Sequence, residues 1–168
     1  MLILGDNMKK ILAILLISSM LLTGCTLNKS GSDLSGFILK INERNESYNL
    51  SQEGFILSGE DNTLSKFLLI DDYNILLSFC VDSKGQLTKM DITLEQNAVS
   101  DGNVTRFVTD AIYVFTENES ITKSILDSID FYNAIKNETK NTVKTENGNI
   151  SLLLDVTEYG TVITLYKD

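Results

Sequence analysis

The sequence predicts a domain of the α+β class, in which an antiparallel sheet of about six strands carries an N-terminal helix and a central pair of helices on one face. Two observations lead to this prediction. Strand-like segments follow one another across short turns, which favours antiparallel pairing. The helical patterns form separate blocks, in the order helix, strands, two helices, three strands, which is typical of α+β domains rather than alternating α/β folds.

The first element of the domain is an amphipathic helix over residues 33–45. Its apolar residues recur at the spacing of one helical face, and charged residues lie on the other side. The apolar residues are Leu34, Phe37, Ile38 and Ile41. Ser32 or Asp33 stands just before this pattern and can cap the helix, since short polar side chains accept from the free N–H groups of the first turn.

A run of strands follows the first helix. The predicted segments are 54–57, which has the weakest pattern, then 64–70, 74–81 and 86–94. Asp71-Asp72 and the run Asp82-Ser-Lys-Gly85 are the turn signals between them. The strand over 86–94 alternates apolar and polar residues, so one of its faces packs on a core. Residues 75–81 are apolar on both faces, which indicates a central strand.

The middle of the chain predicts two helices. The punctuating run Ser100-Asp101-Gly102 offers N-caps for the first helix. The most regular helical stripe of the protein is Val104, Phe107, Val108, Ala111, Ile112 and Phe115. A break at 117–119 leads to a second helix over about 120–136, in which Ser120 is the predicted N-cap.

Three strands close the chain, over residues 142–146, 150–157 and 161–166. Asn147-Gly148 separates the first two, and this dipeptide between alternating segments is a strong hairpin signal. Tyr159-Gly160 marks the second turn.

The start of the chain has the layout of an export signal. Lys9 and Lys10 precede a twelve-residue apolar stretch over 11–22, and small residues follow it. A helix of that length rises about 18 Å, which is short of the roughly 20 residues that span a bilayer.

The four residues that end this segment are Leu22, Thr23, Gly24 and Cys25. They resemble the lipobox of bacterial lipoproteins, and that resemblance implies that Cys25 carries a diacylglycerol and becomes the first residue of the mature protein. The first three residues would be recognised by the signal peptidase. The implied organisation is a signal peptide over 1–24, a lipidated cysteine and tether over 25–33, and one domain over 34–168. Translation starts at Met1 or at Met8, where Met-Lys-Lys resembles the start of such signals.

The same resemblance implies attachment to the extracytoplasmic face of the cell membrane through the lipid. Because the acidic net charge opposes contact with anionic lipid, we expect the anchor to be the only membrane contact. The richness in Asn, Lys and Ile favours a Gram-positive source with an AT-rich genome. The chain carries 14 basic and 23 acidic residues and a formal net charge of −9. Since there is no basic cluster to neutralise phosphates, nucleic acid is not an expected partner.

Catalytic chemistry has few residues available. The chain contains no histidine, which removes the most common general base and the usual zinc ligands. We therefore expect no cofactor, no metal and no enzymatic activity. Cys80, the only cysteine beyond the lipobox, is predicted to be a small buried apolar residue rather than a reactive thiol.

The expected function is binding of an envelope component or a protein partner. Tyr73 and Tyr159 lie beside predicted turns and are the predicted contact residues, because tyrosine is enriched at interfaces. Two alternatives remain open. One is a lipoprotein that protects the cell against phage or toxin, and the other is an enzyme that works with paired carboxylates such as Asp127 and Asp130.

Overall fold

A computed structural model describes residues 33–58, 62–95, 97–128, 140–144, 150–157 and 160–167 of the 168-residue chain. The described residues form three α-helices and a seven-stranded antiparallel sheet, which confirms the predicted α+β class. The helices are α1 Leu34–Arg44, α2 Gly102–Thr116 and α3 Glu119–Ser128. The strands are β1 Ile56–Ser58, β2 Thr63–Ile70, β3 Tyr73–Val81, β4 Leu87–Glu95, β5 Lys140–Lys144, β6 Ile150–Thr157 and β7 Gly160–Lys167.

The strand order in the sheet is β1-β2-β3-β4-β7-β6-β5, and every neighbouring pair is antiparallel. Strands β1 to β4 form one meander and β5 to β7 form another. The two meanders join where β4 pairs with β7, with Ile92 opposite Ile163. This pairing places β3, β4 and β7 in the middle of the sheet, in agreement with the apolar character of β3 on both faces.

One face of the sheet carries the core. Side chains of one alternating set are fully buried along the central strands, and helices α1 and α2 supply their counterpart. The buried strand residues include Ile75, Leu77, Phe79, Met90, Ile92, Leu94, Ile163 and Leu165. Phe37 of α1 meets Phe79 of β3 edge to face, with ring centroids 4.8 Å apart. This contact joins the first helix to the sheet.

Local capping explains where two of the helices begin. Asp33 Oδ1 accepts from the Gly36 N–H at the start of α1, and Asp101 Oδ1 accepts from the N–H groups of Asn103 and Val104 at the start of α2. Asp33 was one of the two predicted caps of α1, and Asp101 belongs to the run that was predicted to cap α2. For α3 the prediction of Ser120 was wrong, because the chain turns at Asn118, whose Oδ1 accepts from the Ile121 N–H. Ser120 therefore lies inside the first turn of the helix.

Several predictions fall on residues outside the described ranges. They are the signal segment, the Asn147-Gly148 turn and the second part of the predicted helix over 120–136. Two short 3-10 turns, Glu46–Tyr48 and Ala98–Ser100, were not predicted. Among the described helices, none has the length and apolar character needed to cross a membrane.

Candidate functional site

Of the predicted site residues, only Tyr73 lies within the described ranges. Its side chain is half-buried and packs against the core at the first position of β3. Leu22, Thr23, Gly24, Cys25 and Tyr159 lie outside the described residues. The structure therefore leaves lipidation and the tyrosine contacts as predictions. The candidate site has to be sought in the geometry of the described fold.

The most distinctive surface of the described fold is the outer edge of β2. Strand β1 pairs only with Thr63–Ser65, so no described strand lies beside residues 66–70 on the side away from β3. The two-residue turn at Asp71-Asp72 makes Ile70 and Tyr73 a hydrogen-bonded pair. Since bonding alternates along an antiparallel strand, the N–H and C=O groups of Phe67 and Leu69 point outward from the sheet edge.

The side chains of Phe67 and Leu69 are also strongly exposed to solvent. Phe67 is 72% exposed and Leu69 is 69% exposed. Both lie on the sheet face opposite the core, where Phe67 has Leu76 as its cross-strand neighbour. The free half of β2, residues 66–70, thus combines backbone groups that no described strand pairs with and two exposed apolar side chains.

The shortness of β1 has a structural cause. The Phe55 ring turns inward toward Phe79, at a centroid distance of 6.1 Å, and the Phe55 N–H bonds to the Gln52 carbonyl in a turn. Gly54 within this turn has a φ of +82°, a conformation that side-chain-bearing residues rarely adopt. The chain therefore begins to pair with β2 only at Ile56. The position in line with β1 and beside residues 66–70 is occupied by no described strand.

A groove of about 350 Å³ lies along this open line. One wall is β2, from Phe67 to Asp71, and the opposite wall comes from the 3-10 turn after α1 and from α2. The residues of that second wall are Asn45, Ser47, Tyr48, Asn103 and Phe107. The volume falls within the range of about 300–1,000 Å³ that is typical of binding clefts.

A part-buried hydrogen-bond network around the Asp110 carboxylate holds the second wall in place. Tyr48 Oη donates to Asp110 Oδ2 over 2.8 Å, and Arg44 Nε donates to Asp110 Oδ1 over 2.5 Å. Asp110 is only 5% exposed, so its charge depends on these partners. The Tyr48 ring also packs edge to face on Phe107, with centroids 5.1 Å apart. The wall is therefore rigidly tied to α1 and α2.

The described lining of the groove carries one charged side chain, and it is acidic. Burial, followed by the hydrogen bond to Asp110, raises the pKa of Tyr48 to about 12, so this phenol keeps its proton at neutral pH. Among the described residues that line the groove, Asp71 is the only charged one, and its Oδ2 accepts from Asn103 Nδ2 over 2.8 Å. The nearby Lys66 points its ammonium to the carbonyls of Ser51 and Glu53 instead.

The prediction for Cys80 needs a correction. Its free thiol is half-buried rather than part of the core, because β3 places Cys80 on the face opposite Phe79. Its Sγ lies 3.5 Å from Thr63 Oγ1. Within the described ranges, no group of three or more His, Cys, Asp or Glu side chains converges to hold a metal ion.

Sequence reasoning did not single out Phe67 and Leu69. A signal was present, because Phe67-Leu-Leu-Ile70 is an apolar run at the end of a strand whose first half is mostly polar. Such a run indicates that both faces of a strand are apolar, but it does not tell which face is left uncovered.

No protein-family model matches the chain, and no curated protein or solved structure was found to be similar to it.

Proposed function

We propose that this protein is a bacterial lipoprotein, anchored to the extracytoplasmic face of the cell membrane through a diacylglycerol on Cys25, whose domain binds a partner protein without catalysis. The lipobox-like tetrad supports the anchor. The observation that carries the binding function is the free half of β2, where Phe67 and Leu69 are exposed beside unpaired backbone groups.

An edge of this kind favours a binding function because proteins ordinarily protect their sheet edges. Lysines, prolines, bulges or very short strands keep edges from pairing with other chains. Residues 66–70 include one lysine, and its side chain is bonded to the loop before β1. By composition the opposite edge differs, since β5 has a lysine residue at each end.

The residue content supports binding over catalysis. The full chain has no histidine, and the described lining of the groove beside β2 holds a single carboxylate, Asp71. Glycoside hydrolysis by carboxylates ordinarily uses two of them across the reacting bond. A groove that offers backbone groups, one phenol and one carboxylate is better suited to holding a chain segment than to reacting with it.

The proposal is tested by photo-crosslinking in living cells that make the full-length protein. A photoreactive amino acid replaces Phe67 in one strain, and it replaces Leu39, an exposed leucine of α1 (52% exposed), in the matched control. We expect one dominant protein adduct from position 67 and none from position 39. Adding Leu69→Lys to the position-67 strain is expected to remove the adduct, because an edge lysine opposes pairing. Equal capture from both positions, or none from position 67, would contradict the proposal.

A further inference from the structure

The free half of β2 also indicates what kind of segment it binds, an inference that rests on the proposed function. We propose that the partner contributes an extended segment of about five residues, which adds antiparallel to residues 66–70 in line with β1, and which carries a basic residue at its N-terminal end beside Asp71.

The length and direction follow from the sheet. Five residues of β2 span about 17 Å at the rise of a strand, and β1 already runs antiparallel to β2 along the same edge. A segment added in the same direction continues the line of β1 and ends where Ile56 begins. Its backbone groups meet the outward N–H and C=O groups of Phe67 and Leu69, as in other cases of strand addition.

The side-chain preferences follow from the two faces of the new strand. Residues on the face of Phe67 and Leu69 are apolar, because they cover two side chains that are otherwise about 70% exposed. Residues on the other face meet Ser47 and Tyr48 on the opposite groove wall, which suits small polar side chains. Apolar and small polar residues therefore alternate in the partner segment.

The charge preference follows from Asp71. This carboxylate is the only charged group among the described residues of the groove lining. It lies at the C-terminal end of β2, and Asp72 follows it in the same exposed turn. An antiparallel partner places its N-terminal end there. A lysine or arginine at that end gains a charge-assisted contact, whereas an acidic residue is repelled.

A second copy of the chain fits this edge less well than a foreign segment. Each copy carries a formal net charge of −9, so two copies repel one another overall. The groove is also bounded by Ser47 and Tyr48, which leaves room for an extended segment. The edge of another copy would bring its own 3-10 turn into the same space.

The test uses the full-length lipidated protein in detergent micelles and three blocked synthetic peptides. The first is Lys-Lys-Thr-Val-Thr-Val-Thr, the second has both lysines moved to the C-terminal end, and the third has glutamates in place of the lysines. We expect the first peptide to bind about fivefold more tightly than the second, which is the ratio that one exposed charge pair of about 1 kcal/mol produces. The third is expected to bind most weakly. Hydrogen exchange of the Phe67 and Leu69 amides is expected to slow on binding of the first peptide.

Three variants identify the contacts. Leu69→Pro removes an outward N–H, which an edge strand tolerates, and is expected to abolish binding of every peptide. Asp71→Asn still accepts from Asn103 and is expected to erase the preference for the first peptide. Leu39→Ala is the matched control and is expected to bind all three as the parent protein does.

Some results would overturn the inference while leaving the proposed function in place. They are persistent adducts at position 67 combined with no peptide binding, a preference for the second or third peptide, or full binding by Leu69→Pro. Self-association that Leu69→Pro removes would overturn it as well, because it would make a second copy the occupant. Loss of both peptide binding and crosslinking would contradict the inference and the proposed function together.

Discussion

Tyr48 Oη donates to Asp110 Oδ2 over 2.8 Å, and this bond joins the 3-10 turn after α1 to the middle of α2. Tyr48 forms part of the groove wall that faces β2, while Asp110 is buried and also binds Arg44. The stability of the fold and the shape of the candidate site thus depend on the same carboxylate.

Asp110→Ala is expected to destabilise the protein strongly. The substitution leaves the Tyr48 hydroxyl and the partly exposed Arg44 guanidinium without their acceptor, and losing hydrogen bonds to a charged group in this way costs about 1–3 kcal/mol. The free energy of unfolding from urea titration measures the effect. Asp127→Ala, at an exposed position of α3, is the control and is expected to change it by less than about 0.5 kcal/mol. Similar losses in both variants would contradict a special role for Asp110.

The contribution of Tyr48 is expected to depend on pH. The pKa of this phenol is raised from 10.0 to about 12 in the folded protein, so the folded state favours the protonated form. The resulting stabilisation is fully present below the ordinary pKa of tyrosine and is lost as the pH rises toward the folded pKa. The difference in unfolding free energy between the parent protein and Tyr48→Phe should therefore shrink between pH ~9 and pH ~11.5. A difference that is constant over this range would contradict the assignment.

Two phenylalanines on neighbouring strands test which face of the sheet is covered. Phe79 is fully buried against Phe37, whereas Phe67 is 72% exposed on the opposite face. Phe79→Ala is expected to cost about 3–5 kcal/mol, through lost burial and the cavity it leaves. Phe67→Ala is expected to cost less than about 1 kcal/mol. Urea denaturation of both variants measures this, and comparable costs would show that the two faces are covered alike.

Two prolines one residue apart test the register of β2. Leu68 is paired with Ile75 and its N–H points toward β3, while the N–H of Leu69 points to the free edge. Leu68→Pro removes a ladder hydrogen bond and is expected to cost about 2–3 kcal/mol more than Leu69→Pro. Thermal or urea unfolding of the pair measures the difference. The reverse order of stability would show that the strand is out of register by one residue.

The two cysteines test the lipid anchor. Cys25→Ser removes the thiol that would carry the diacylglycerol, so we expect the protein to lose incorporation of a labelled fatty acid and to leave the membrane fraction or accumulate as precursor. Cys80→Ser is the matched control and is expected to be labelled and membrane-bound like the parent protein. Fatty-acid labelling that survives Cys25→Ser would contradict the lipoprotein assignment.

Most secondary structure was predictable because it depends on local patterns. The apolar spacing of α1 and α2, their aspartate caps and the turn at Asp71-Asp72 all appear within a few residues of sequence. The exceptions are equally local in origin. Asn118 rather than Ser120 caps α3. With Gly54 in a left-handed conformation, β1 begins at Ile56, two residues later than predicted.

The candidate site was not predictable in this way. An edge exists only in relation to the strands that lie beside it, and the register of β1 against β2 depends on Phe55 packing against Phe79, 24 residues further along the chain. The pairing of β4 with β7 joins parts of the chain about 70 residues apart. Such contacts arise from the shared core and cannot be recognised from the local spacing of apolar and polar residues.

The sequence alone therefore determined the α+β class, the helical and strand segments, and the lipobox-like tetrad at Cys25, since each can be recognised from short runs of residues. Only the tertiary structure decided that half of β2 lies uncovered, that Tyr48 and Asp110 build the wall opposite it, and that Cys80 faces away from the core. The physical reason is that burial and strand pairing are properties of surfaces brought together from distant parts of the chain.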